Sequence, residues 1–170
     1  MSAVSTAWNG DQLFSSKSVE WSTPQALFDL LDAEFGGFEL DAAATARNTL
    51  CPDFIGVNAD ALETAWVRPG MERKLVWLNP PWGRNIGAWV SRAADQAHKH
   101  GLTVVCVLPA STDTAWWHGD VMQAAQVRFI QGRLHFVRDD GHTGPCTKGA
   151  AIVVFTAWGG PPTFTSMVRP

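Results

Sequence analysis

The 170-residue chain has no tyrosine. Any stacking against a flat ligand must come from other rings, and nine tryptophans are present. Most of these belong in a core, because the indole buries a large apolar area. Cysteines are few: Cys51, Cys106 and Cys146 are odd in number and widely spaced, which excludes a disulfide framework and paired zinc-ligand spacing. Reduced thiols in a cytosol-like compartment fit that pattern. Basic excess is also missing. The formal net charge of −3 argues against holding a polyanion by bulk electrostatics, so any nucleic-acid contact is expected to be local. No apolar run approaches a membrane span and no leader-like segment opens the sequence; a cytoplasmic protein is expected.

What is present reads as one globular domain, with 46% hydrophobic and 17% charged residues. Residues 1–20 are polar and aperiodic, and 158–170 are rich in proline and glycine, so both ends read as flexible tails around a domain over 21–157. Within the domain, Thr23 is expected to cap a helix with Pro24 at its first position. Leu27, Phe28, Leu31 and Phe35 share one face until Gly36-Gly37 ends it. A short strand runs into Asp41, and the continuously apolar "KLVWL" is a second strand. Helical spacing of Ile86, Val90, Ala93 and Ala97 follows, closed by Gly101. "TVVCVL", "QVRFI" and "AAIVVF" are later strands, with a helix expected around residues 114–124. "QVRFIQGRLHFV" has the form of a hairpin about Gly132. The expected fold is α/β, a mostly parallel sheet flanked by helices with a late antiparallel hairpin. Ligands of such sheets bind beyond the carboxyl ends of the strands, where Asp41, Asn79 and the Pro109–Asp113 segment all fall.

The segment "VWLNPPWGR" carries the most specific chemistry. An exocyclic amine on a nucleobase is a poor nucleophile until its nitrogen becomes tetrahedral. An asparagine side-chain oxygen and a nearby backbone carbonyl, each accepting one amine proton, stabilise the charge that develops in that change. Two prolines suit the backbone part, since they fix their own φ and hold the preceding residue extended. The aromatic at the fourth position can stack on the base, worth roughly 1–3 kcal/mol. This compares with the few kcal/mol needed to flip a base from duplex.

"NPPW", Asn79 to Trp82, resembles the [D/N/S]PP[Y/F/W] signature of amino-methyltransferases that use S-adenosylmethionine (AdoMet). The wider chain, over roughly residues 21 to 155, resembles the phage-type, Dam-like DNA N6-adenine methyltransferases. The likeness runs through "WSTPQALFDLLDAEFG", "LDAAA", "NADAL", "LPASTDTAWWH" and "RFIQGRLHF". It implies a single-domain Rossmann-like methyltransferase fold and direct transfer to N6 of a flipped-out adenine. The catalytic positions are then Asn79, Pro80, Pro81 and Trp82. The implied cofactor residues are Thr23 and Pro24 in the leading segment, Asp41, Ala42 and Ala43 after the first strand, Asp60, and Asn79 itself. The family's glycine-rich loop is replaced here by "DAAATARN". The order, cofactor motif before catalytic motif, resembles the gamma arrangement.

Other roles compete for the same residues. NPPW can be a rigid turn around a core tryptophan. Asp41 can cap a helix starting at Ala42, and Asp60 can cap "ALETAW". Asp113 reads equally as a cap, and His118, with no partner at metal-ligand spacing, as packing or surface. Arg84, Arg133 and Lys148 are candidates for phosphate contact, with Arg128 and Arg138 nearby in sequence, and "RDDGHTGPCTKG" reads as a mobile loop. A DNA substrate, no metal, no membrane and a monomer or weak dimer are expected. Cytosine N4, an RNA base, a protein glutamine amide, or a DNA-binding relative without activity stay open as alternatives.

Overall fold

The computed structural model describes residues 21–56, 58–138 and 143–170. The expected N-terminal tail and the centre of the "RDDGHTGPCTKG" loop lie outside these. The main sheet has seven strands: β2 (Leu40–Asp41), β3 (Asp53–Phe54), β4 (Leu75–Leu78), β5 (Thr103–Pro109), β6 (Gln126–Gln131), β9 (Ala150–Phe155) and β10 (Thr163–Val168). Their spatial order is β10-β6-β9-β5-β4-β2-β3. Neighbours pair in parallel except around β9, which runs against both β5 and β6. The mostly parallel α/β sheet expected from the sequence is therefore present.

Helix α1 (Gln25–Phe35) covers one face and α2 (Ile86–His100) the other. This two-sided cover explains why β4, β5 and β9 are apolar at nearly every position. Side chains alternate between the two layers. In β4, Val76 and Leu78 join the core beneath α2, while Leu75 and Trp77 join the core beneath α1. Trp77 meets Phe28 edge-on at 5.3 Å. The two cores thus hold β4 from both sides.

Local differences from the sequence reading have local causes. The cap of α1 is Pro24, not Thr23: Pro24 is extended, and its carbonyl accepts from the amides of Leu27 and Phe28. Thr23 is buried and caps nothing. Gly36 and Gly101 close α1 and α2 in left-handed conformations, at φ 94° and 66°. The helix expected over 114–124 is split into α3 (Ala115–Gly119) and a 3-10 turn, Val121–Gln123.

The expected hairpin about Gly132 does not form. Strand β6 pairs with β9 and β10, whereas β7 (His135–Arg138) leaves the main sheet. It joins a second sheet of three antiparallel strands, ordered β1-β7-β8, with β1 at Trp21–Ser22 and β8 at Thr143–Pro145. Gly132, at φ 87°, makes the turn between the sheets. The antiparallel hairpin is β7–β8 instead. The closing segment, expected as a tail, contributes β10, which pairs along its whole length with β6 and stacks Phe164 on Phe129.

Candidate active site

After β2 the chain moves outward to β3, then crosses back to β4 on the other side of β2. The loops after β2 and β4 therefore leave adjacent strand ends in different directions, at the carboxyl edge where ligands of such sheets bind. Asp41 ends β2 and Asn79 directly follows β4. Their register is close: Asp41 lies opposite Trp77, and the Ala42 amide donates to the Trp77 carbonyl at 3.0 Å.

Asp41 is 4% exposed. Its carboxylate accepts from the amides of Ala43 at 3.2 Å and Leu50 at 3.4 Å, so it draws the Ala42–Leu50 loop around itself. No helix begins at Ala42, which removes the capping alternative. Burial pushes the Asp41 pKa up to about 6, against the lowering effect of the two amides. A cationic group brought beside Asp41 would offset that burial cost. Ala42 is buried in the core and Ala43 is half-buried.

In NPPW, Asn79 is half-buried, Pro80 buried, Pro81 exposed and Trp82 half-buried. The Trp82 indole Nε1–H donates to the Val107 carbonyl of β5 at 3.2 Å. Its ring meets Phe136 of β7 edge-on, 5.2 Å between centroids and 76° between planes. The motif then turns into α2, with the Ile86 amide donating to the Gly83 carbonyl.

Thr23 and Pro24 follow β1 and border the smaller sheet, since Ser22 lies opposite Val137 of β7. Pro24 lines a cavity of about 220 Å³ with Leu27, Leu134, His135, Arg169 and Pro170. Asp60 is exposed, and its carboxylate accepts from the Leu62 amide at 3.0 Å while its carbonyl accepts from Glu63 and Thr64. It caps a turn. The turn is held from behind by α2, through two side chains the sequence analysis passed over. Gln96, 2% exposed, accepts from the Trp66 amide at 2.9 Å, and Arg92 donates to the Thr64 carbonyl at 2.7 Å. The available signal was a glutamine three residues after Ala93, on the apolar stripe of α2. A cavity of about 530 Å³ lies along this flank of α2, lined in part by Glu63, Arg92, Asp95 and Asp120. Neither cavity is lined by Asn79 or Asp41.

Of the basic residues, Arg84, Arg133 and Lys148 are exposed and each falls at the carboxyl edge of the sheet. Lys148 precedes Gly149, whose carbonyl accepts from Ala110 just beyond β5. Arg133 follows the Gly132 turn at the end of β6. Arg128 is committed elsewhere: its guanidinium bridges to Glu34 of α1 and lies over the Phe35 ring at 5.6 Å. That hydrogen bond holds the Glu34 carboxyl below its usual range. Asp113 and His118 are exposed, and no cluster able to hold a metal ion occurs among the described residues. None of their helices is long and apolar enough to cross a membrane.

A family model for DNA N-6-adenine-methyltransferase (Dam) matches residues 11–169. A DNA N-6-adenine-methyltransferase of Escherichia phage T1 is 31% identical over 144 residues, covering 76% of this chain and 57% of that protein. One of Haemophilus phage HP1 (strain HP1c1) is 29% identical over 139 residues, covering 79% of this chain and 77% of that protein. The chain thus spans little more than half the length of the T1 relative. With the motif residues gathered at the switch point of the sheet and a family model covering nearly all of its length, the chain belongs to the DNA N-6-adenine-methyltransferase (Dam) family.

Proposed function

We propose that this chain transfers a methyl group from AdoMet to N6 of adenine in DNA, acting on a base flipped into the crevice between the ends of β2 and β4. The observation that carries the reading is the placement of Asp41–Ala43 and Asn79–Trp82 on adjacent strand ends where the strand order reverses. The names of the two phage relatives support adenine as the target. A parallel sheet with one reversed strand, β9, agrees with a Rossmann-like methyltransferase fold.

Asp41, Ala42 and Ala43 would hold AdoMet, with Asp41 facing its cationic portion, Asp60 its adenosine, Thr23 and Pro24 packing alongside, and Asn79 reaching it from β4. AdoMet supplies a methyl group on a positively charged sulfur, electrophilic enough for direct attack by an amine. The protein then has to make the amine nucleophilic. The Asn79 side-chain oxygen and the Pro80 carbonyl accept one amine hydrogen each, which favours a tetrahedral nitrogen and stabilises its developing charge. Pro81 stiffens the loop, and Trp82 stacks on the extruded base. No cysteine adjoins the motif in sequence, and the transfer is direct. Arg84, Arg133 and Lys148 contact phosphates along the same edge. The protein acts as a monomer or weak dimer in the cytoplasm of a bacterial or phage-infected cell.

The test is methylation of DNA lacking modified bases, using labelled AdoMet, followed by digestion to nucleosides. N6-methyladenine is expected. N4-methylcytosine with unmodified adenine overturns the substrate assignment, and no AdoMet binding at millimolar concentration in a calorimetric titration overturns the enzyme reading.

A further inference from the structure

The aromatic that would receive the target base is not a free surface ring. Its indole is fixed by a donor–acceptor bond to the β5 main chain, Trp82 Nε1–H to Val107 O at 3.2 Å, and by an edge-on contact with Phe136 at 5.2 Å. These two restraints come from different sheets. Val107 lies in the fourth strand of the main sheet order, whereas Phe136 lies in β7, the middle strand of the smaller sheet. Phe136 is 4% exposed, so it cannot itself meet a base. A tyrosine or phenylalanine in place of Trp82 would keep a flat face but lack the indole N–H.

Resting on the function proposed above, we propose that Phe136 is a positioning residue for base capture. It braces the Trp82 ring so that its open face is presented to the extruded adenine at a fixed angle, with the Val107 carbonyl as the second brace. An edge-to-face partner is suited to this, because the positive ring edge meets a negative face and resists rotation of the indole. A stacking platform that is already ordered loses less conformational freedom when the base arrives, so the effect falls on DNA affinity. The placement gives the three-stranded sheet a role in the reaction. Strand β7 begins two residues after Arg133, and Lys148 follows β8 by three, so two of the three proposed phosphate contacts flank the strands of the sheet that bears the brace.

The test is a double-mutant cycle between Phe136→Leu and Trp82→Ala, with Trp82→Phe as a third variant that keeps a ring but loses the donor. Three quantities are read: the KM for DNA in methylation, the affinity for an adenine-rich single-stranded oligonucleotide by fluorescence anisotropy, and AdoMet affinity with the melting temperature. Phe136→Leu should raise the DNA KM and weaken oligonucleotide binding by about tenfold, with AdoMet affinity unchanged. In the Trp82→Ala background the same substitution should have no further effect, since its only route of action is gone. Trp82→Phe should lie between the wild type and Trp82→Ala. An equal effect of Phe136→Leu in both backgrounds overturns the proposal, as does no effect in the wild-type background, or a loss of AdoMet affinity that matches the loss for DNA. The anisotropy arm separates the two readings. If the wild-type chain methylates no base yet shows the coupled loss of binding, the proposed function fails and the brace stands. If the wild-type chain binds no oligonucleotide, both fail.

Discussion

Replacing Asp41 by asparagine separates the charge of the crevice from its hydrogen bonds. The carboxyl is 4% exposed and is met by two amides at 3.2 and 3.4 Å, and burial raises its pKa from the ordinary 3.8 to about 6. In the unfolded chain this proton leaves near pH 4, so between about pH 4 and pH 6 the folded protein binds the extra proton. Stability is fully present below pH 4 and is lost as pH rises through about 6. A gap of about two pH units, at about 1.4 kcal/mol each, sets that loss at about 3 kcal/mol. Asparagine has one oxygen where the carboxylate has two, so Asp41→Asn gives up one amide bond, about 1 kcal/mol, at every pH. Urea unfolding at fixed temperature from pH 4 to pH 8 should therefore show the wild type losing about 3 kcal/mol relative to the variant across the window. Parallel curves for the two proteins would refute the burial argument. The same charge bears on the proposed cofactor role. A cation bound beside Asp41 favours its ionised form, so AdoMet binding should weaken below pH 6 and release protons near pH 5.5, measurable by calorimetry in two buffers of different ionisation enthalpy.

Other substitutions read other parts of the site. Asn79→Ala should lower kcat by on the order of 10²–10³ or more, as expected for removal of a group that acts mainly in the transition state, with AdoMet affinity and the melting temperature nearly unchanged. A loss of AdoMet affinity equal to the loss of rate would contradict that role. Gln96→Met keeps the side-chain length but leaves the buried Trp66 amide without its acceptor, and should destabilise the fold by about 1–3 kcal/mol in urea unfolding. An unchanged midpoint would show that the bond contributes nothing. Lys148→Gln and Arg133→Gln should each reduce the slope of log affinity for duplex DNA against log salt by about 0.9, and an unaltered slope would remove that residue from the interface.

Much of the architecture was legible because its signals are local. Buried strands announce themselves as uninterrupted apolar runs, and β4, β5 and β9 were placed from these. Helix α2 was legible from its stripe and from Gly101, which alone tolerates the left-handed exit at low cost. The position of Asn79 followed from the strand before it. The hairpin about Gly132 was misread because alternation in two runs flanking a glycine shows that each is a strand without showing that they pair. Strand β6 gained better partners in β9 and β10, and β7 was left to the smaller sheet. The closing residues looked like a tail because prolines and glycines precede them, yet Phe164 finds Phe129 and the backbone finds an open edge. Of the basic residues near the candidates, Arg128 is drawn away by Glu34, an attraction across 94 positions that no spacing rule reveals.

By itself, then, the sequence determined the class of fold and the edge of the sheet on which NPPW lies. Periodicity, turn residues and the reacting groups are properties of short stretches, and they survive without knowledge of what packs on what. Only the tertiary structure decided the strand order, the reversal that sets Asp41 beside the NPPW loop, the hold of Gln96 on the Asp60 turn, and the bracing of Trp82 by Phe136. Strands buried on both faces look alike in sequence. Which of them become neighbours is settled by the sum of long-range packing, and the site is made where those neighbours end.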